Sequence, residues 1–299
     1  YQRFFPTKIP SLFEPWDLQH IHLPGNFKAE EINFRNWLYP SGCYQAKLIV
    51  TATFWTKADL IRAYALPPEK IAVVYRGAPC FSPRQFNRLR QQNPARTLLN
   101  LRAPYLIYPA KTWPHKNHLR LIQALALLRR QGQMIPLVCT GTLLEGSREM
   151  LQEALKSTGL ESSVYLVDHL SDEEFLAFLA QARGMIFPSL FEGLGIPVLE
   201  AMALGVPVAC SRVACLPEVC GDAALLFDPL SEEEMARAIR LLYEDAGIRR
   251  TLRSRGRQRA KLFDWTNAGK KFHILYKYLA GSELDSDETI LLKSLFSEN

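Results

Sequence analysis

The chain has 299 residues, of which 48% are hydrophobic and 22% charged, a composition typical of a globular protein and not of a disordered, collagen-like or coiled-coil chain. Its apolar runs, such as residues 71–75, are far shorter than the roughly 20 residues that a membrane-spanning helix needs. The length predicts one or two domains, and two is the working number because each could bury a core of its own.

The first 90 residues contain three apolar candidate strands, at 9–14, 48–53 and 71–75. Three strands make only about half of a doubly wound α/β domain, so residues 1–90 are predicted to be a partial N-terminal domain. The chain begins at Tyr1 without Met and without a signal sequence, and we expect roughly 70 to 90 further residues upstream. The segment 83–104, rich in Arg, Gln and Asn, is predicted to be a linker loop.

From residue 105 onwards strands alternate with helices, which is the pattern of a parallel sheet covered by helices on both faces. The predicted strands are 105–110, 135–140, 164–167, 184–188, 207–210 and 224–227. The predicted helices are 117–130, 147–157, 172–182 and 198–204. This number of strands makes a complete Rossmann-like domain, which we place at residues 91–265.

The C-terminal region, 266–299, is predicted to hold a helix at 266–279 and an acidic tail of solvated surface. The net charge of +6 is concentrated just before that tail, because the segment from Arg249 to Lys277 carries ten basic residues and one acidic residue. A solvated helix face is the favoured interpretation, and contact with anionic lipid headgroups or a phosphorylated substrate is the alternative. Nucleic-acid binding is not expected, because the positive charge is confined to this segment and the remainder of the chain is slightly acidic.

The six cysteines form no C-x-x-C pair and are predicted to be reduced core residues, which favours a cytoplasmic location. A peripheral contact at the inner membrane face would come from the basic segment 249–277. Cys210, Cys215 and Cys220 are evenly spaced but lack the paired ligands at short spacing that zinc sites use. A D-x-D sequence occurs only in the tail, at Asp285 and Asp287. No metal or other cofactor is therefore expected.

The most informative segment follows the predicted strand at 184–188. It reads Glu-Gly-Leu-Gly-Ile-Pro from Glu192 to Pro197 and leads into a helix that carries Glu200. The glycines allow the backbone to approach a ligand closely, and we expect the amides of residues 194–198 to be free at the positive end of the helix dipole. A phosphate is the anion predicted at such a helix start, at the carboxyl end of a parallel strand.

Two lysines add positive charge at the same predicted edge of the sheet. Lys111 and Lys116 flank the loop that follows the strand at 105–110. They could neutralise a diphosphate without a metal ion. Ordinary solvation would be the favoured interpretation for either lysine alone, but their position opposite the glycine loop favours ligand binding.

The segment F-P-S-L-F-E-G-L-G-I-P-V-L-E-A-M-A-L-G-V-P-V, which holds Glu192 and Glu200, resembles the E-x7-E element of the retaining family 4 glycosyltransferases. The segment at 108–117 resembles the family's G-R-x4-K element, and 216–229 resembles the strand and loop that follow. The resemblance implies the GT-B fold, an α/β architecture of two facing Rossmann-like domains.

The resemblance also implies roles for individual residues. Lys111, which replaces the family's usual arginine, and Lys116 would hold the donor diphosphate as catalytic residues, and Glu192 would meet the transferred sugar. Donor-binding residues are expected at the glycine loop, in the turn near the diphosphate and near the base: Gly193, Leu194, Gly195, Ile196, Glu200, Thr140, Gly141, Val167 and Leu170. Glu200 would bind the ribose.

The first domain departs from the family pattern. Trp16 occupies the position of a histidine in a common His-Asp pair, followed by His20 and His22. Trp16 is interpreted as a core aromatic residue, with stacking on an acceptor ring as the alternative, and the histidines as surface residues. Trp16 and His20 are the candidate acceptor-side residues.

The favoured function is transfer of a hexose from a nucleotide-sugar, with UDP as the expected nucleotide, to a polysaccharide or glycolipid acceptor bound mainly by the first domain. Retention of configuration is expected to proceed by same-face substitution, because no reliably placed carboxylate nucleophile is found beside the glycine loop. The alternative is a non-catalytic homologue that binds a nucleotide-sugar or a partner protein, which the departures at Lys111 and Trp16 favour.

Overall fold

The computed structural model describes residues 8–297, and its internal contacts divide the chain into two units. The first unit contains the described residues up to Gly77, the short loop Glu192–Leu194, and the described residues from Phe263 onwards. The second unit contains Ala78–Phe191 and Gly195–Leu262.

Helices and strands alternate along most of the described chain. In order they are β1 (Leu12–Phe13), α1 (Gln19–His22), α2 (Ala29–Gln45), β2 (Leu48–Thr51), α3 (Phe54–Tyr64), β3 (Ile71–Val73), α4 (Pro83–Gln91), α5 (Pro94–Leu99), β4 (Leu106–Pro109), α6 (His118–Arg130), β5 (Leu137–Thr140), α7 (Ser147–Thr158), β6 (Val164–Val167), α8 (Asp172–Gln181), β7 (Gly184–Phe187), α9 (Ile196–Leu204), β8 (Val208–Ser211), α10 (Leu216–Cys220), β9 (Ala224–Phe227), α11 (Glu232–Glu244), α12 (Ala246–Ala260), α13 (Trp265–Ala280) and α14 (Ser286–Ser294).

The first unit contains a parallel sheet in the order β1-β2-β3. Side chains of β2 alternate between two apolar clusters, because successive residues of a strand point to opposite faces. Ile49 packs in a cluster with Phe13 and Leu60, whereas Val50 packs in a cluster with Leu275 of α13. The three predicted strands therefore form one sheet, although each is shorter than predicted.

The acidic residues Glu283, Asp285 and Asp287 of the C-terminal region are exposed, as predicted for a solvated tail, but the segment also forms α14. Asp285 is the N-cap of α14, where its carboxylate accepts the amide of Glu288 at 2.8 Å. The Glu288 carboxylate in turn accepts a hydrogen bond from Lys277 of α13 at 2.5 Å. Leu295, just after α14, is buried in the cluster that covers one face of the first sheet. The acidic residues are therefore a helix-start signal that the sequence interpretation missed.

The second unit contains six parallel strands in the order β6-β5-β4-β7-β8-β9. The order reverses between β4 and β7, which is the arrangement of a doubly wound Rossmann-like sheet and opens a crevice at the carboxyl ends of those two strands. Each of the six predicted strands is present, with ends shifted by at most two residues.

The prediction of a linker loop at 83–104 is wrong, since the segment contains α4 and α5. Ser82 and Gln85 form a reciprocal capping box at the start of α4, and the Asn93 side chain caps α5. Leu89 and Ala95 are buried. The sequence contains a signal for both helix starts, since Ser82 and Asn93 are capping residues that are each followed by a proline. The polar composition of the segment favoured a loop instead.

The basic segment is only partly a solvated face. On α12, Arg253 donates to the carbonyl of Gly205 at 3.0 Å, and Arg249 donates to the carbonyl of Tyr243 at 2.7 Å. Arg259 donates to the carbonyls of Glu218 and Val219. These carbonyls belong to the last turns of α9, α10 and α11, where helix carbonyls lack intrahelical partners. The prediction of a solvated face is therefore wrong for these arginines.

The six cysteines are free thiols, and five are buried as predicted. Cys80 is the exception because it is exposed. Burial raises the pKa of the Cys43 and Cys139 thiols to about 12, so both are inert apolar residues in the folded protein. Within residues 8–297, none of the helices combines the length and apolar character needed to span a bilayer.

Candidate active site

The carboxyl ends of three neighbouring strands in the second unit, β4, β5 and β6, bring several predicted site residues together. Thr140 ends β5 and Val167 ends β6, and the Gly141 amide donates to the Val167 carbonyl at 3.2 Å. The Thr140 carbonyl accepts the Ala110 amide, after β4, at 2.8 Å. Leu170 lies half-buried in the loop that leads from β6 to α8. These hydrogen bonds fix the loops after β4, β5 and β6 at one edge of the sheet.

Gly141 occupies a position that only glycine fits. Its φ is 128°, a conformation that residues with a Cβ rarely adopt, and a Cβ built there would lie 2.7 Å from the Ala110 carbonyl oxygen. Because Gly141 has no side chain, its backbone can pack closely against the backbone of Ala110 and Lys111. The sequence interpretation placed Gly141 at the predicted diphosphate, and its backbone geometry gives the reason for glycine.

The two predicted catalytic lysines lie on the loop after β4. The Lys111 side chain is exposed, and its Nζ lies 5.5 Å from the centroid of the Trp113 ring. Lys116 is half-buried, and its Nζ lies 5.4 Å from the centroid of the Phe187 ring, at the end of β7. Both ammonium groups are thus close to aromatic rings, which attract cations without neutralising them.

Tyr108 holds the backbone of this loop. Its hydroxyl donates to the Lys116 carbonyl at 2.5 Å, and its ring lies 4.7 Å from the His118 ring. His118 and His115 are buried, and burial lowers the pKa of each to about 4, with the Lys116 charge adding to the effect. Both histidines are therefore neutral at pH 7, and neither offers a positive charge to a ligand.

Asn117 is a site residue that the sequence interpretation missed. Its φ is 62°, and its buried side-chain amide donates to the carbonyls of Pro188 at 3.1 Å and Pro229 at 2.9 Å. These carbonyls follow β7 and β9, so one side chain ties three loops together directly after Lys116. Asparagine tolerates positive φ better than most residues, and this preference was the available signal.

The helix α9 begins at the predicted phosphate cradle. Gly195 is its N-cap with a φ of 78°, and Ile196 is its first residue. The expectation of free amides from 194 to 198 is wrong in part, because Pro197 has no N–H and the Val198 amide donates to the Gly195 carbonyl at 2.9 Å. The amides of Gly195 and Ile196 remain the candidate anion donors of this helix start.

Glu200 lies one turn into α9 and is half-buried. Burial, with the nearby Asp172 carboxylate adding to the effect, raises the pKa of its carboxyl to about 7. A carboxyl group with this pKa changes charge close to neutral pH, which is typical of groups that meet a ligand.

The loop Glu192–Leu194 belongs to the first unit by its contacts, although the residues on either side of it in the chain belong to the second. Glu192 and Gly193 are half-buried and Leu194 is buried. A Cβ at Gly193 would lie 2.9 Å from the Trp16 carbonyl oxygen, so a side chain is not accommodated there.

Trp16 and His20, the acceptor-side candidates, differ from their predicted environments. Trp16 is 72% exposed, so the interpretation as a core aromatic residue is wrong. His20 is 1% exposed and lies 5.0 Å from the Tyr39 ring, so the interpretation as a surface histidine is also wrong. Neither ring nitrogen of His20 has a hydrogen-bond partner among the described residues, and burial lowers its pKa to about 4.

The family model for glycosyl transferases group 1 matches residues 90–259, which is more than half of the chain. The chain belongs to this family. The match covers the strands and loops that carry Lys111, Lys116, Gly141 and Glu200, and it confirms the resemblance to family 4 glycosyltransferases.

Named relatives agree with that assignment. The chain is 31% identical to the O-antigen chain mannosyltransferase B of Escherichia coli. The matched region covers 78% of this chain and 61% of that relative. The chain is 29% identical to the MMP alpha-(1->4)-mannosyltransferase of Mycolicibacterium hassiacum over 77% of its own length and 53% of the relative's. The chain thus spans between half and two thirds of the length of these relatives.

Solved glycosyltransferase structures share the fold. The sucrose-phosphate synthase of Thermosynechococcus elongatus superposes with a TM-score of 0.75 and 22% identity, covering 90% of this chain and 68% of that one. The Anabaena HepE structure in complex with UDP and glucose superposes with a TM-score of 0.71 and 21% identity, covering 90% of this chain and 72% of that one. The predicted GT-B fold class is confirmed.

Proposed function

We propose that this chain transfers a hexose from a nucleotide-sugar to a glycan or glycolipid acceptor, with retention of anomeric configuration. The observation that carries the proposal is the edge of the second sheet at which the strand order reverses. There the lysines of the β4 loop and the start of α9 come from the two strands that flank the crevice.

The pyrophosphate of the donor is the group that these elements suit. Lys111 and Lys116 supply two positive charges, and the amides of Gly195 and Ile196 supply donors at a helix start. Glu200, further along α9, would accept hydrogen bonds from the ribose hydroxyls. Val167 and Leu170, beside the ends of β5 and β6, would contact the base, while Glu192 and Gly193 would meet the transferred sugar.

Same-face substitution is the reaction that this set of groups supports. The bond between the anomeric carbon and the β-phosphate oxygen breaks, and the acceptor hydroxyl oxygen forms the new bond from the same side. The acceptor proton passes to the departing phosphate oxygen, so no separate oxidant, nucleophile or metal ion enters the balance. The lysine ammonium groups and helix-start amides stabilise the charge that develops on the leaving diphosphate.

Mannose is the hexose that two relatives favour, since both are mannosyltransferases. UDP remains the proposed nucleotide. A thermal-shift panel of UDP- and GDP-linked hexoses tests both assignments, because a donor that binds the folded state raises the unfolding temperature, and at a fixed concentration the rise is larger for a donor that binds more tightly.

The acceptor side rests on the first unit, where Trp16 presents an exposed aromatic ring. An exposed tryptophan can stack on the apolar face of a sugar or lipid-linked glycan. His20 is buried in the first unit and neutral, so it would support the acceptor side without contributing a charge.

A non-catalytic binding function is the alternative, and the exposed Trp16 in place of a histidine favours it. Donor hydrolysis without acceptor distinguishes the two functions. We expect Glu192→Ala to abolish transfer and Glu200→Ala mainly to weaken donor binding. Intact nucleotide binding without hydrolysis or transfer would favour the alternative, and negligible effects of both substitutions would contradict the site.

A weak contact with anionic membrane surfaces is also proposed, but with a smaller footprint than the charge count suggests. Several arginines of α12 are bound to backbone carbonyls, whereas Lys270 on α13 is exposed. Such a contact should weaken as salt increases.

A further inference from the structure

The second unit has a cavity of about 470 Å³ that the proposed donor site does not use. It lies at the amino-terminal part of α6, beside the first turn of α7 and the start of α11. The described residues of its wall do not include Lys111, Lys116, Gly195 or Glu200. Its volume is in the range of small-molecule sites, which are typically about 300 to 1,000 Å³.

Part of the cavity lining is apolar and exposed to solvent. Trp113, Leu119 and Met150 line it, and their side chains are 43%, 42% and 46% exposed. Large apolar side chains exposed in one cavity leave a surface that a partly apolar ligand would cover. Trp113 also provides a flat aromatic ring that a ligand can stack against.

Another part of the cavity lining is polar and balanced in charge. Arg120, Gln123 and Glu232 line it, which supplies one positive charge, one negative charge and a neutral amide. Arg120 is already oriented, because its Nη1 donates to the Asn117 side-chain oxygen at 2.9 Å. Together these groups offer donors and acceptors without a net charge, so they favour a neutral ligand rich in hydroxyl groups over a phosphate or a carboxylate.

We propose that this cavity binds a hexopyranose unit of a glycan chain, at a site separate from the site of sugar transfer. A pyranose ring has a face of C–H groups, which would lie on Trp113, and a rim of hydroxyls, which would bond to Gln123 and Glu232. Only the choice of a glycan as the ligand depends on the proposed function, since the cavity itself is described from its own residues. A second binding site of this kind would hold the growing chain or its acceptor on the second unit.

The test uses the full chain labelled with ¹³C at the methionine methyl groups. Of the five methionines, Met150 lies in the cavity wall, whereas Met202 and Met235 are buried elsewhere. With UDP saturating, α-linked mannotriose is titrated to millimolar concentration. We expect a saturable shift of the Met150 signal and none of the Met202 and Met235 signals.

Variants separate the cavity from the neighbouring loop. Trp113→Ala and Gln123→Ala should each weaken glycan binding by roughly fivefold or more. Gln123→Ala is the cleaner variant, because Gln123 is exposed on α6, whereas Trp113 also contacts Lys111. Trp37→Ala, at an exposed tryptophan of α2, is the control and should leave the titration unchanged.

An unmoved Met150 signal, or a shift that Gln123→Ala leaves unchanged, would overturn the proposal. Hexose transfer from the nucleotide-sugar is measured on the same samples. Transfer without a Met150 shift would reject the cavity site alone. A Met150 shift without transfer would support the cavity site and count against the proposed function.

Discussion

The side-chain amide of Asn117 donates to the carbonyl of Pro188 at 3.1 Å, across the point where the strand order of the second sheet reverses. Pro188 directly follows β7, and Asn117 directly follows Lys116. The same amide also donates to the Pro229 carbonyl. Two buried hydrogen bonds of Asn117 therefore fix the backbone next to Lys116 to two other loops. Asn117, which has no role of its own in the proposed reaction, thus positions Lys116.

We predict that Asn117→Gly lowers stability by about 1 to 3 kcal/mol, because it leaves two buried carbonyls without their donor. Glycine keeps the positive φ accessible, so this loss contains no backbone strain, although it also includes the hydrogen bond that Arg120 donates to the Asn117 side-chain oxygen. Asn117→Ala should cost about 1 kcal/mol more, because it adds backbone strain. Urea denaturation measures both values, and both variants should raise the KM for the donor. A normal KM would show that the amide does not position Lys116.

Tyr108 and Tyr105 offer a matched comparison near the two ends of β4. The Tyr108 hydroxyl donates to the Lys116 carbonyl at 2.5 Å, and the Tyr105 hydroxyl donates to the Phe178 carbonyl at 2.7 Å. Each change to Phe should cost about 1 kcal/mol of stability. Only Tyr108→Phe should reduce the transfer rate, because only that bond holds the lysine loop. Equal activity of the two variants would exclude this positioning role.

Gly141→Ala should destabilise the second unit and weaken donor binding. The added Cβ would meet the Ala110 carbonyl, and the φ of 128° adds strain of about 1 to 3 kcal/mol. Gly132→Ala is the control, because Gly132 also has a positive φ, 81°, but nothing lies within 4 Å of its added Cβ. Thermal unfolding and donor titration measure both variants. If Gly132→Ala were as harmful, the close approach would not be the cause.

Glu200 should give the protein a pH-dependent stability near neutrality. Its pKa in the folded protein is about 7, against 4.5 as its ordinary value, so the folded state binds this proton more tightly than the unfolded state does. The contribution of this group to the free energy of unfolding is therefore present at low pH and is lost as pH rises from about 4.5 to about 7.

Glu200→Gln should remove that slope, because the amide stays neutral. Urea denaturation at several values between about pH 5 and about pH 8 should show the variant gaining stability relative to the wild type as pH rises. Donor affinity of the wild type should increase over the same range, since the ionised carboxylate accepts ribose hydrogen bonds more strongly. Parallel stability curves for the two proteins would contradict this assignment.

The basic residues of the segment 249–277 should be of two kinds: those that stabilise the fold by binding backbone carbonyls, and those that are exposed to solvent. Arg259→Gln should lower stability by about 1.5 to 3 kcal/mol, because the guanidinium bonds to the end of α10. Arg250→Gln, an exposed position on the same helix, should have little effect. In flotation with anionic liposomes, Lys270→Glu should reduce binding at low salt, whereas Arg259→Gln should not. A loss of binding in Arg259→Gln that matches Lys270→Glu would reject the division.

The sequence alone determined the order of strands and helices in the second unit, since six short apolar runs separated by amphipathic helices specify a parallel sheet. It also determined the family, because the Glu192 to Glu200 segment is specific in its glycine and proline spacing. These features are local, and hydrophobic periodicity and backbone restrictions encode them directly.

Only the tertiary structure decided which residues meet. The Asn117 bonds to Pro188 and Pro229, the arginines on helix ends and the burial of Leu295 each join segments far apart in the chain. Polar residues in these places look solvated in a sequence, because a hydrogen bond to a distant backbone carbonyl leaves no local pattern. The raised pKa of Glu200 has the same origin, since burial is a property of the packed fold and not of its own helix.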